Sequence, residues 1–168
     1  MSNLKIFQSR DLNLYKPILE GLYDELGFDY YHAVLVWCNV IDYNGYDKYY
    51  FWEVYLIERD GKIVGLAGLS SQYAERKDEL WLGWFGVLPE YRNEGIGSEA
   101  LKLIEEKAKS FGCDTLMTYI DKSCKPLKFY QRNNFMVLWP VEKYLKIFPE
   151  IPEEAFGDKE DIVLIKNL

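Results

Sequence analysis

Residues 79–112 read ELWLGWFGVLPEYRNEGIGSEALKLIEEKAKSFG, and their pattern governs how the rest of the chain is read. The stretch ELWLGWFGV (79–87) is nearly all apolar, as a strand buried on both faces is, and Pro89 ends it because proline has no N–H for a ladder. From Gly95 to Phe111 the apolar residues Ile96, Ala100, Leu103, Ile104, Ala108 and Phe111 recur at helical spacing. Gly112 suits the position just past a helix end. The following DTLMTYI (114–120) reads as a strand again. Strand, helix and strand in that order predict one right-handed parallel crossover.

Working outward, EVYLIERDGKIVGLAGLS (53–70) is two strands joined at Asp60–Gly61, a pair that favours tight hairpins. Upstream lie a short strand near Lys5–Gln8 and a helix from Asp11 to Leu26. Asp11 is placed to cap that helix, with Leu14, Ile18, Leu22 and Leu26 along one face. A second helix over 31–42 ends in the turn chemistry of DYNGYD. Downstream, SCKPLKFYQRNNF (123–135) is a short helix with Ser123 as its N-cap, and MVLW (136–139) and DIVLIKNL (161–168) are closing strands. The expected order is βααβββαβαββ. It predicts a single α/β domain over residues 1–168, with a mixed, mostly antiparallel sheet, one central parallel β-α-β crossover and helices on both faces.

At 168 residues and 49% hydrophobic content, the chain has material for one sizeable core. No apolar run reaches the roughly 20 residues of a membrane span, and MSNLKIFQSRDLN (1–13) lacks the pattern of a secretory signal. Cys38, Cys113 and Cys124 fit neither a disulfide framework nor metal-ligand spacing, so a cytoplasmic setting and no metal are expected. Residues 11–60 hold ten acids against three bases, which is the whole net charge of −7. No basic face remains for nucleic acid.

The run YRNEGIGS (91–98) admits several readings. A Walker loop is excluded, since no lysine follows Gly97. A dinucleotide fingerprint matches G-x-G-x-x-A, with Asp121 as the ribose acid, but LPEYRNE (88–94) separates the strand from its first glycine. A pyrophosphate loop would use backbone amides at the positive end of a helix dipole, with Arg92 as an added cation. The plain alternative is a tight turn whose glycines only permit the geometry.

The surroundings of the loop carry a resemblance. WFGVLPEYRNEGIGSEALKLIEEKAKSFG (84–112) is similar to the central motif of the GNAT superfamily of acetyl-CoA-dependent N-acyltransferases. SCKPLKFYQRNNF resembles a second signature of that family, with Tyr130 on its tyrosine and Phe135 on its terminal phenylalanine. Ser123, Pro126 and Asn134 depart from the family's Asn, Ala and Gly at their positions. The resemblance implies that the strand ending at Val87 splays from the strand ending at Ile120, with the pantetheine arm between them on the backbone of Phe85, Gly86 and Val87. It implies coenzyme A pyrophosphate on the amides of Arg92, Asn93, Glu94, Gly95, Ile96, Gly97 and Ser98, with Ser123 at the cofactor's edge. It implies Tyr130 as the proton donor to the leaving thiolate, against a reading of that side chain as core packing.

An amine attacks a thioester only when neutral, so a base is needed, and Glu79 is the nominated residue, against a reading of it as a solvated charge at the strand start, with His32 a minor candidate. Cys124 is discounted as an acyl carrier because no base accompanies it. Family members build the acceptor site from the first helices and their loop. Here that region spans Phe28, Tyr30, Tyr31, Trp37, Tyr43, Tyr46, Tyr49, Tyr50, Phe51 and Trp52, within the acidic segment that holds Asp24, Asp29 and Asp47. Acids with aromatic faces suit a cationic amine such as a polyamine, an aminoglycoside-like compound or a peptide N-terminus, against the plain alternative of core aromatics and solvated surface acids. The partners expected are acetyl-CoA and that amine, with no nucleic acid and no membrane, and a homodimer stays open. A non-catalytic acyl-CoA sensor on the same fold is the alternative function.

Overall fold

The computed structural model describes residues 3–42, 51–71, 78–123, 125–149, 156 and 158–168. A seven-stranded sheet runs through it. In chain order the elements are β1 (Leu4–Phe7), α1 (Leu12–Trp37), β2 (Phe51–Arg59), β3 (Lys62–Ser71), β4 (Glu79–Val87) and α2 (Ile96–Ser110). After these come β5 (Thr115–Ile120), α3 (Leu127–Arg132), β6 (Met136–Pro140), α4 (Val141–Ile147) and β7 (Ile162–Asn167). The strand order is β1-β2-β3-β4-β5-β7-β6, and β4 with β5 is the one parallel pair among the described residues. The single crossover expected from residues 79–120 is therefore present, in a sheet otherwise antiparallel.

The β2–β3 hairpin turns at Asp60 and Gly61, both with positive φ (51° and 82°), as a tight turn that follows the strand twist requires. Asp11 caps α1 by accepting from the Asn13 amide at 3.0 Å. The two helices expected over 11–26 and 31–42 form one kinked element that stops at Trp37. Gly27 breaks it with φ 77° and ψ −173°, a conformation that only glycine adopts without strain. The Tyr30 hydroxyl stitches the two limbs by donating to the Leu19 carbonyl at 2.7 Å.

Two further expectations are corrected. Between the closing strands lies α4, which makes the order βαβββαβαβαβ. It is only seven residues long, and what holds it is burial of Val141 and Tyr144 rather than helical propensity. Ser123 is not the N-cap of α3, because that helix starts at Leu127 with Pro126 before it and no side-chain cap. The Ser123 amide instead donates to Asp121 at 2.6 Å, closing a turn just past β5.

Helices cover both faces. Leu101, Ile104 and Ala108 of α2 pack with Tyr55, Ala67, Leu69, Leu80 and Leu82, and Tyr130 of α3 joins them. On the opposite face α1 places Ile18, Leu22, Tyr30 and Val34 against Val54, Leu56 and Leu66. Tyr144 of α4 covers the same face further along, over Trp81, Met117 and Val163. The period-two alternation of the strands thus assigns each residue to the α2 side or the α1 side.

Candidate active site

The parallel pair opens partway along. β4 and β5 are bonded only at Glu79–Thr115, Leu80–Leu116 and Trp81–Met117. Beyond Trp81 they part, so Leu82–Val87 and Thr118–Ile120 border a gap. Thr118 closes the apex by donating its hydroxyl to the Leu82 carbonyl at 2.9 Å. A buried carbonyl that has lost its ladder partner is thereby satisfied.

A β-bulge lies on the β4 side of this gap. β3 advances two residues from Leu66 to Gly68 while β4 advances three, from Gly83 to Gly86. Trp84 carries the extra residue with φ 47°, the left-handed region that a bulky side chain rarely enters. The insertion resets the alternation. Leu82 belongs to the α2 side, and regular alternation would put Trp84 there with it. Instead the indole packs among the α1-side residues, while Phe85 turns to the α2 side and stacks on Phe129 at 5.8 Å.

At the open end, the chain passes through a 3-10 turn at Pro89–Tyr91 and enters α2. Gly95 sits at the N-cap with φ 81° and no capping side chain. The Arg92 amide donates to the Pro89 carbonyl at 3.2 Å, so the run of amides with no acceptor among the described residues begins at Asn93 and ends at Ser98. Six N–H groups at the positive end of a helix, beside a gap in the sheet, fit a pyrophosphate and a pantetheine arm. The Arg92 side chain has a different task from an anion clamp. Its Nε donates to the Val87 carbonyl and its guanidinium to Glu25, both at 2.8 Å, pinning the end of β4 to α1. Gly97 is likewise explained by packing, since a Cβ there would lie 3.1 Å from the Phe129 ring.

Tyr130 lies buried on the α2 side, edge-on to Phe129 and Phe135 at 5.2 Å each. Burial pushes its phenol up to about 12, partly offset by the neighbouring Thr118 hydroxyl. Tyr130 is therefore a neutral donor at any ordinary pH, and Thr118 brings it to the apex of the gap. Glu79 is 7% exposed, on the α1 side, two residues before the parting. Its Oε1 accepts from Trp81 Nε1 at 2.9 Å and from the Tyr144 hydroxyl at 3.3 Å.

The remaining candidates separate by position. Ser123 sits in the turn beyond β5, and its contacts hold the Asp121 carboxyl below the usual range. His32 stacks near Phe28 at 5.8 Å on the second limb of α1. Cys124 lies outside the described residues. Cys38 and Cys113 are buried, and burial pushes both thiols up, which makes them poor nucleophiles. Of the aromatic acceptor region, Tyr30 and Trp37 are core and Phe28 is 62% exposed. Tyr43, Tyr46, Asp47, Tyr49 and Tyr50 lie outside the described residues. Among the described residues no cluster of three potential metal ligands occurs, and no helix is long and apolar enough to cross a membrane. Thr118 and Trp84 were missed by sequence reasoning. The one signal for Trp84 was the glycine on either side of the Trp-Phe pair in GWFG (83–86).

Known proteins share this architecture. An acetyltransferase from Elizabethkingia anophelis with acetyl-CoA bound superposes with a TM-score of 0.64 at 20% identity, covering 99% of this chain and 98% of that one. YdhI of Bacillus subtilis is 35% identical over 80 residues, 45% of this chain and 48% of that protein. The S-alkylcysteine N-acetyltransferase of Bacillus subtilis is 35% identical over 57 residues, 31% of each chain. The matches thus span less than half of these curated relatives. The model of the acetyltransferase (GNAT) family matches residues 14–135, and with the parted strands and the glycine loop inside that span, the chain belongs to the GNAT family.

Proposed function

We propose that this protein transfers an acetyl group from acetyl-CoA to a primary amine by direct attack on the thioester. The observation that carries this reading is the parting of β4 from β5 beyond Trp81, with amides from Asn93 to Ser98 at its mouth that have no acceptor among the described residues. Acetyl-CoA supplies the activated acetyl group. The backbone of Phe85, Gly86 and Val87 would line its arm, and the loop amides would hold its phosphates without a charged side chain. An N–H of the same strand would polarise the thioester carbonyl.

Tyr130 serves the departing sulfur. A cysteine-like thiol has a pKa of about 8.5, well under the value of about 12 that burial gives the phenol. Full proton transfer would run uphill, so Tyr130 acts chiefly by donating a hydrogen bond to the developing charge. The acceptor, an alkyl amine with a pKa of about 10, must shed a proton to attack. Glu79 takes that role in this reading. Its two hydrogen bonds from Trp81 and Tyr144 also favour a second role, as the anchor that fixes those rings.

The acidity of residues 11–60 supports a cationic acceptor drawn in by the protein's field. Calorimetry with acetyl-CoA, followed by thiol release against polyamines, aminoglycosides, amino acids and peptide N-termini, tests the proposal. Binding and turnover on one class are expected. Binding with no turnover on any amine would leave the sensor reading. In the same assay, Glu79→Gln should lower kcat about a hundredfold or more with KM for acetyl-CoA unchanged if Glu79 is the base. A loss confined to KM for the amine assigns it the anchoring role.

A further inference from the structure

The bulge on β4 delivers a side chain to a place where the reaction needs one. Trp84 lies three residues past the last bonded pair of the parallel strands, level with the start of the gap, and projects to the α1 side. The thioester proposed above lies against the backbone of the next residues. Whatever attacks it from the α1 side passes the indole of Trp84. That indole is part of an aromatic ladder: the Arg10 guanidinium lies 3.5 Å over Trp37, Trp37 meets Trp52 at 5.4 Å, and Trp52 meets Trp84 at 6.5 Å.

The chain bears a cost to put it there. A tryptophan at φ 47° is held against its own backbone preference. β3 makes room for the ring, because a Cβ at Gly68 would lie 2.6 Å from Trp84 Cε3. Without the extra residue in β4, the indole would point to the α2 side, away from α1 and the acidic segment. A strained backbone, a reserved glycine and a supported ring converge on one orientation.

We infer that Trp84 is the acceptor-positioning residue: its ring packs on the carbon chain next to the amine, displaces water from it and aims the nitrogen at the thioester. This rests on the acetyl-transfer reading and adds to it a substrate class, primary amines on an apolar chain. Burying a methylene is worth about fourfold in binding, so chain length reports contact with the ring.

The test is the dependence of kcat/KM on chain length, from n-propylamine to n-hexylamine, with acetyl-CoA as donor and thiol release as readout. The wild type should gain about three- to fourfold per methylene. Trp84→Ala should flatten this to under twofold while leaving KM for acetyl-CoA within twofold of wild type, and Trp84→Phe should keep most of the slope. Gly68→Ala supplies an independent route, since it displaces the indole without removing it, and should flatten the slope likewise. Acetyl-CoA binding by calorimetry establishes that each variant is folded. A flat series in the wild type, or an unchanged slope in Trp84→Ala or Gly68→Ala, overturns the role of Trp84 alone. Wild-type protein that binds acetyl-CoA and turns over none of these or other amines overturns the acetyl-transfer reading, and this inference with it.

Discussion

Replacing Tyr130 with phenylalanine removes one oxygen and little else. The ring keeps its edge-on contacts with Phe129 and Phe135 at 5.2 Å, so no cavity opens. Thr118 keeps its bond to the Leu82 carbonyl. The folding cost is that of one modest hydrogen bond, about 1 kcal/mol, which lowers Tm by about 2–4 °C for a chain of this size. The catalytic cost is larger, because a hydrogen bond to a developing anion contributes about 1.5–3 kcal/mol. That predicts a fall in kcat of roughly ten- to 150-fold, with KM for acetyl-CoA little changed.

The pH dependence gives a second readout. Burial raises the Tyr130 phenol from 10.0 to about 12, so it stays neutral, and able to donate, through pH 10. Its loss lowers the plateau of the rate profile without moving either limb. Stability changes in a separate window. A raised folded pKa contributes stability that is complete below pH 10 and is lost as pH climbs toward 12. The phenylalanine variant, which has no phenol to ionise, should lack that alkaline loss. Stopped-flow thiol release and thermal melts across pH measure both. A Tyr130→Phe enzyme with kcat within twofold of wild type refutes the assignment.

Other outcomes follow from the same geometry. Gly95→Ala forces a Cβ onto a residue at φ 81°, at about 1–2 kcal/mol, in the loop whose amides are proposed to hold the phosphates. Calorimetry should find acetyl-CoA binding weakened tenfold or more, with the fold intact by circular dichroism. Tyr15 and Tyr30 are fully buried and burial pushes each up to about 12, so their stabilisation persists below pH 10 and disappears above it. The last part of the phenolate absorbance, beyond that of exposed tyrosines such as Tyr23 and Tyr119, should therefore rise together with loss of ellipticity above pH 10, and complete ionisation of all tyrosines without unfolding would contradict the burial.

The parallel crossover was legible because its three elements carry strong periodic signals, and the loop was legible because its glycines sit between a stopped strand and a periodic helix. The α4 helix was not. A seven-residue segment with two buried positions has too little periodicity to stand out, and its helicity comes from packing over Trp81 and Met117. Arg92 was read as a phosphate cation because charge beside a glycine loop suggests it. Only the fold brings Glu25 and the Val87 carbonyl within reach of that side chain. The bulge at Trp84 is a matter of register between β3 and β4, and register is a property of two strands that neither sequence states alone.

The parted strands have a bearing on how long the protein survives in a cell. Between Leu82–Val87 and Thr118–Ile120 the sheet carries an edge in its own interior, held by the Thr118 hydroxyl where two strands would ordinarily zip. A ligand whose arm bonds along that edge acts as a removable extra strand. At a hundredfold excess over its dissociation constant, such a ligand adds about 2.7 kcal/mol to stability. Resistance to proteolysis, and with it abundance, would then follow the supply of coenzyme A.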